Sequence, residues 1–195
     1  MILATAVALG LAACLARHKS RAFRWIAAIP LRSAWLALLA LAIQLPLLRA
    51  PAGSVQGFRP QQALLLLSYL LLLLCVWRNR RLGAILIVGV GVACNLTVIL
   101  ANQGFMPISP QTLVRINPAT SVQQWPEGTH YGHSKDIILV QEDTLLWPLS
   151  DALAIPPPFP WPTAFSAGDL ILAAGIVALL AIPEWTCERR IRDEL

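Results

Sequence analysis

Apolar runs close to bilayer length constrain this chain more than any other feature. A helix crossing a hydrocarbon core needs about 20 apolar residues, each adding about 1.5 Å. Five stretches approach that length: 1–16, 33–48, 61–77, 82–101 and 167–185. Charged residues make up only 13% of the 195, against roughly 25% in an ordinary soluble domain. The sequence therefore predicts a single all-α, polytopic membrane domain of five spans, lying in the lipid bilayer, with a long Pro-rich loop over 102–166.

The charges set the orientation. Eleven of the fifteen Lys and Arg residues fall within 17–32, 78–81 and 189–192, at the ends of apolar runs. Positive clusters of this kind stay on the cytoplasmic side. The amino terminus is then outside, the carboxyl terminus inside, and the 102–166 loop outside with Glu127, Asp136, Glu142, Asp143 and Asp151. The net charge of +5 is thus a topology signal, and no motif points to nucleic acid. In Met1–Ala16 the basic cluster follows the apolar run, whereas a signal peptide carries its charge first. Leu11-Ala-Ala-Cys14 resembles a lipoprotein cleavage box, but cleavage there would leave Arg17, Lys19, Arg21 and Arg24 outside. The final Arg-Asp-Glu-Leu195 resembles a retention signal, on a tail that faces the cytoplasm. Cys14, Cys75, Cys94 and Cys187 stand singly and read as small apolar residues.

The spans differ in kind. The leucine runs 64–67 and 70–74 suit a lipid-facing helix. The fourth span carries Gly83, Gly89, Gly91 and Ala93, which let helices approach closely. Asn95 and Asn102 are seven residues apart, two helical turns, so they share a face that looks into the protein.

Candidate chemistry lies at the borders of the long loop. Asn102-Gln-Gly-Phe-Met-Pro-Ile-Ser109 reads as a turn capping the fourth span, because Gly104 permits positive φ and Pro107 and Pro110 stop a helix. Asn102 and Ser109 are its candidate binding residues. Thr112 to Tyr131 reads as polar loop, and Asp136 to Gln141 as a short apolar run of strand type. His130-x-x-His133 has metal-like spacing, with Glu127 and Asp136 near in sequence. It lies in loop beside Gly128 and Gly132 without a cysteine, so the reading is surface or interface histidines and no metal. No cofactor is called for. Five prolines between 156 and 162 predict an extended strap of polyproline type, with Phe159 and Trp161 at headgroup level. Ser166 is placed to cap the fifth span, with Asp169 completing a variant capping box.

A sharper reading pairs Asp151 with Asp169 as catalytic residues. Two carboxyl groups sharing a low-dielectric site split their pKa values, so that one serves as acid and the other as base on a water. Their eighteen-residue separation and the Phe-Ser-x-Gly-Asp helix opening are similar, over 151–175, to the lipoprotein signal peptidases. In that family the catalytic aspartates sit at the outer ends of the last two helices.

The pattern as a whole resembles an uncharacterised family of bacterial integral membrane proteins, known as a domain of unknown function. The resemblance rests on Asn95 and Ala101-Asn102-Gln-Gly104-Phe-Met106-Pro107-Ile-Ser109, then Thr144-Leu-Leu-Trp-Pro-Leu-Ser-Asp151-Ala-Leu-Ala-Ile-Pro156, then Phe165-Ser166-Ala-Gly168-Asp169. It implies a multi-pass protein of the bacterial plasma membrane and brings no activity with it. Two functions follow as expectations. The first is a non-enzymatic accessory subunit of a larger membrane complex, in which Asn95, Asn102, Ser109 and Ser166 form a structural clasp. The alternative is a membrane-boundary hydrolase using Asp151 and Asp169. A transporter fits less well, since Asp169 and Glu184, near the two ends of the fifth stretch, are the only charged residues inside the five stretches and ion paths need such groups.

Overall fold

The computed structural model describes residues 2–47, 53–54, 60–132 and 134–181. His133, Arg49, Arg59, the last residues of the expected fifth span and the basic carboxyl-terminal tail lie outside the described residues. Helices account for most of the rest. In order they are α1 (Ile2–His18), α2 (Ala22–Ala27), α3 (Trp35–Leu47), α4 (Pro60–Arg78), α5 (Gly83–Ala101), α6 (Pro110–Ile116) and α7 (Ala167–Ala181).

Three helical stretches are long and apolar enough to cross a membrane: Ile2–Ala27, Pro60–Arg78 and Gly83–Ala101. Trp35–Pro46 and Ala167–Ala181 are also apolar but shorter. The first stretch does not stop at the basic cluster, where the sequence suggests its end. A 3₁₀ turn at Lys19–Arg21 joins α1 to α2, and the helical path persists because no proline or glycine interrupts it between Gly10 and Pro30.

The helices pack as α1 against α7, α7 against α5, α5 against α4, and α4 against α3. The α5–α7 contact is backbone to backbone. A Cβ added at Gly91 would lie 2.6 Å from both the Gly168 carbonyl and the Leu172 nitrogen, and one at Gly175 would lie 2.6 Å from the Val88 nitrogen. Gly91, in the small-residue stripe expected in the fourth span, is therefore spent on α7. One face of α4 buries Leu65, Ser68 and Tyr69, while Leu64, Leu67, Leu70 and Leu74 are exposed. The helix expected to be featureless is thus two-sided, with a tyrosine on its inner side.

The expectation of an all-α chain is corrected by the 102–166 segment, which folds into two small sheets against the helix ends. The larger sheet runs β1 (Gly53–Ser54), β3 (Thr129–His130), β4 (Asp136–Ile138), β2 (Met106–Ile108). Strand β2 lies parallel to β4, with Met106, Pro107 and Ile108 opposite Asp136, Ile137 and Ile138. The turn read over Asn102–Pro110 therefore holds a strand. Pro107 is tolerated because β2 is an edge strand, where a missing N–H leaves no ladder bond unmade. Gly104 does take the expected positive φ, +77°.

The polar loop read over Thr112–Tyr131 begins inside α6. Ser109 caps that helix by accepting from the Thr112 N–H at 3.1 Å, with Pro110 in its first turn. The proline strap is a hairpin instead of a single extended run. β5 (Leu153–Ile155) pairs antiparallel with β6 (Thr163–Phe165), and the prolines occupy its tip with Phe159 and Trp161 exposed. Proline bars strand pairing within the tip, while the proline-free flanks are free to pair.

Two apolar clusters join the layers. Leu65, Val92, Leu96 and Leu172 of the helices meet Met106 of β2, and Ile108, Leu113 and Ile138 form a core within the 102–166 segment. Burying Met106 fully stabilises the docking of sheet on helices, and burying Ile108 almost fully stabilises the segment's own core, by roughly 1.5–3 kcal/mol each.

Candidate functional site

The site forms where α4, α5 and α7 meet the sheets. Its first fixed point is the start of α7. The Asp169 N–H donates to Ser166 Oγ at 2.9 Å and the Ser166 N–H donates to Asp169 Oδ2 at 3.2 Å. This is a reciprocal capping box with aspartate in the glutamate position. Asn95, buried in α5, ties both residues across the interface. Its Nδ2 donates to Asp169 Oδ1 at 2.7 Å, and its Oδ1 accepts from Ser166 Oγ at 2.9 Å. Gly168 makes this possible, since a side chain there would collide with the Asn95 amide oxygen.

The second fixed point is Asp151. Asn102 closes a two-way amide clip on residue 145, donating to the Leu145 carbonyl at 2.9 Å and accepting from the Leu145 N–H at 2.9 Å. That clip brings the following chain along β2, where the Asp151 N–H donates to the Pro107 carbonyl at 3.0 Å. Asn102 therefore positions the Asp151 segment and not the Asp169 motif. Ser109 serves α6 and stands apart from the cluster. Of the residues singled out in the sequence, the structure brings together Asn95, Asp151, Ser166 and Asp169.

Between the two aspartates lies a residue that the sequence does not single out. Lys135 Nζ is 3.9 Å from Asp151 Oδ2 and 4.0 Å from Asp169 Oδ2. Its backbone is held there because the Met106 N–H donates to the Lys135 carbonyl at the edge of the sheet. Asp136, next in the chain, lines the same cavity as Asp151. Lys135 lies between Asp151 and Asp169.

The electrostatics follow from burial and these neighbours. Burial raises the Asp151 pKa well above the ordinary 3.8; Lys135 pulls it back, and the charges of Asp136 and Asp169 push it further up. Burial also raises Asp136, against the attraction of Lys135. Burial alone would lower the pKa of Lys135, yet Asp151, Tyr69, Asp169 and Asp136 together hold it well above the ordinary 10.5. Both carboxyl groups are thus pushed toward their neutral forms, and Lys135 toward its charged one.

These side chains line a cavity of about 480 Å³. Tyr69, Asn95, Lys135, Asp136, Asp151 and Asp169 form its polar wall, and Leu65, Leu72, Ile108, Phe165 and Leu172 contribute an apolar one. Asp136 Oδ1 and Asp151 Oδ1 are buried with no hydrogen-bond partner. The arrangement can bind a polar group against charge on one side and apolar atoms on the other, and can give or take a proton at Asp151.

The histidine reading is altered in part. His130 is buried rather than at the surface, with its Nε2 3.0 Å from the Ser134 carbonyl and its ring against Phe105. Glu127 accepts from the Val140 N–H. Among the described residues no grouping of three His, Cys, Asp or Glu is arranged to hold a metal.

Lys135, Asp136 and Tyr69 are the site residues that sequence reasoning missed. One signal was available: only two lysines occur in the chain, and Lys135 sits alone in an acidic segment directly beside an aspartate.

No match is found among curated proteins or among solved structures, so the likeness to the lipoprotein signal peptidases gains no support. The family comparison does succeed: residues 28–181, which include every residue of the polar wall, match the model of a family of unknown function, DUF5317, and the chain belongs to that family.

Proposed function

We propose that this chain is a multi-pass protein of the bacterial plasma membrane that binds the polar head of an amphiphilic molecule in the Lys135 cavity, at the outer membrane boundary. One observation carries the reading: an ammonium flanked by two carboxylates lines a cavity whose remaining wall is apolar. Charged groups beside hydrocarbon are expensive, and where they occur they mark substrate or ion sites. Pockets with convergent polar groups and perturbed pKa values are the default candidates for function. The orientation with 102–166 outside rests on the charge distribution. The cavity then opens at the level where a headgroup lies.

The test is native mass spectrometry of the full chain released from a mild non-ionic detergent. The wild type is expected to carry an amphiphile of membrane origin, and Leu72→Trp, which fills the apolar wall of the cavity, to lose it about tenfold more readily, an affinity change near ~1.4 kcal/mol. Equal retention by both proteins, or none by the wild type, contradicts the proposal.

Hydrolysis is a second reading, favoured by Asp136 and Asp151, two carboxyl groups raised by burial that line one cavity. A carboxyl group that keeps its proton beside one that has lost its own suits acid–base work on a water. Asp169, committed to its helix cap and to Asn95, would then position Lys135 and take no part in proton transfer. The accessory-subunit reading draws on the exposed Leu145, Leu146, Phe159 and Trp161, which suit a partner as well as a headgroup layer.

A further inference from the structure

We infer that the ligand of this cavity bears a primary ammonium head on an apolar tail, its N–H groups donating to Asp136 and Asp151. This deepens the amphiphile reading and rests on it.

The charge inventory of the polar wall leads there. Lys135 supplies one positive charge and is flanked by two carboxyl groups. Asp169 is further met by Asn95 and by the Ser166 N–H, so its acceptors are filled. Asp136 and Asp151 face the same cavity, so among the described residues three carboxyl groups line it against one ammonium. The remaining need is equally specific. The Oδ1 atoms of Asp136 and Asp151, residues only 8% and 3% exposed, both lack a donor. A buried acceptor without a partner costs about 1–3 kcal/mol, more when charged. A primary ammonium supplies one positive charge and three donors, which meets both deficits. An anionic head would meet neither, because Lys135, the one cation among the described residues that line the cavity, is already paired. Tyr69 and Tyr131 also line the cavity, and aromatic rings favour ammonium groups. The apolar side, with Leu65, Leu72 and Leu172, accommodates the tail.

The experiment measures binding of five probes to the detergent-solubilised full chain at neutral pH: dodecylamine, dodecyltrimethylammonium, dodecanol, dodecyl phosphate and ethylamine. Dodecylamine is expected to bind on the order of tenfold or more tighter than each of the others. Asp136→Asn combined with Asp151→Asn should abolish that preference. Should the double variant fail to fold, the wild type alone suffices, since its preference for dodecylamine must decline as the pH falls and the remaining carboxylates protonate. Equal or tighter binding of dodecanol, dodecyl phosphate or dodecyltrimethylammonium overturns the ammonium assignment and leaves the amphiphile reading standing. Ethylamine binding as tightly as dodecylamine overturns the amphiphile reading and leaves the ammonium assignment standing. Binding of none overturns both.

Discussion

Asp151 shows what burial does to one carboxyl group. Buried near Asp136, it keeps a proton at pH values where an ordinary carboxyl of pKa 3.8 has lost it. The folded state then binds a proton that the unfolded chain has released. Stability from this group is greatest below pH 3.8 and is lost as the pH rises through the raised folded value. Lys135 works in another window: its raised pKa contributes stability that is complete below pH 10.5 and lost only as the pH climbs through its folded value. Asp151→Asn fixes the neutral form of Asp151. Thermal melts should therefore show the variant gaining on the wild type as the pH rises above the ordinary 3.8. A difference that is flat with pH, or of opposite sign, would count against a neutral Asp151. The sequence revealed Asp151 and Asp169 because aspartates at the borders of apolar runs are conspicuous. It hid the role of Lys135, whose charge reads as one more loop cation until β2 and β4 set it between the aspartates. Tyr69 was hidden for a different reason: in a leucine-rich run nothing marks which face turns inward.

Helices were legible as elements and strands largely were not. Long apolar runs fix α4 and α5 to within a residue or two, because the bilayer-length pattern leaves few alternatives. The strands are two or three residues each, too short for alternation to register, and they exist through tertiary pairing. The run Asp136-Ile-Ile was visible as strand because it is apolar and β-branched; Met106-Pro-Ile was not, because proline argues against a strand except at an edge. The α5–α7 contact carries the sharpest prediction at this scale. Gly168→Ala drives a methyl group into the Asn95 amide oxygen and to 3.0 Å from the Gly91 carbonyl, breaking the link between helix cap and cluster. It should destabilise the chain by at least ~2 kcal/mol, as overpacking against backbone commonly does. Ala93→Leu, on an exposed face of α5, should be tolerated within about 0.5 kcal/mol. Denaturation of both variants in one detergent decides it; a stable, ligand-competent Gly168→Ala would show the interface to be looser than described.

In the whole molecule, a helical bundle meets a small β-layered cap, and the cavity lies at their seam. No single segment contains the site. Asn95 and Tyr69 come from helices, Asp169 from a helix start, and Lys135, Asp136 and Asp151 from the cap, which explains why spacing along the chain did not reveal it. The central claim is that Lys135 is locked as a charged ammonium inside that seam. Because the only other lysine, Lys19, is exposed, each protein carries its own reference. The most direct measurement is the rate of acetylation of the two lysines in the full-length protein, read by peptide mass spectrometry near pH ~9. Free amine is the reacting form, and a lysine held above its ordinary pKa offers less of it. Lys135 is expected to react at least about tenfold more slowly than Lys19, and Asp151→Asn to narrow the gap. Acetylation of Lys135 as fast as Lys19 in the wild type would contradict it.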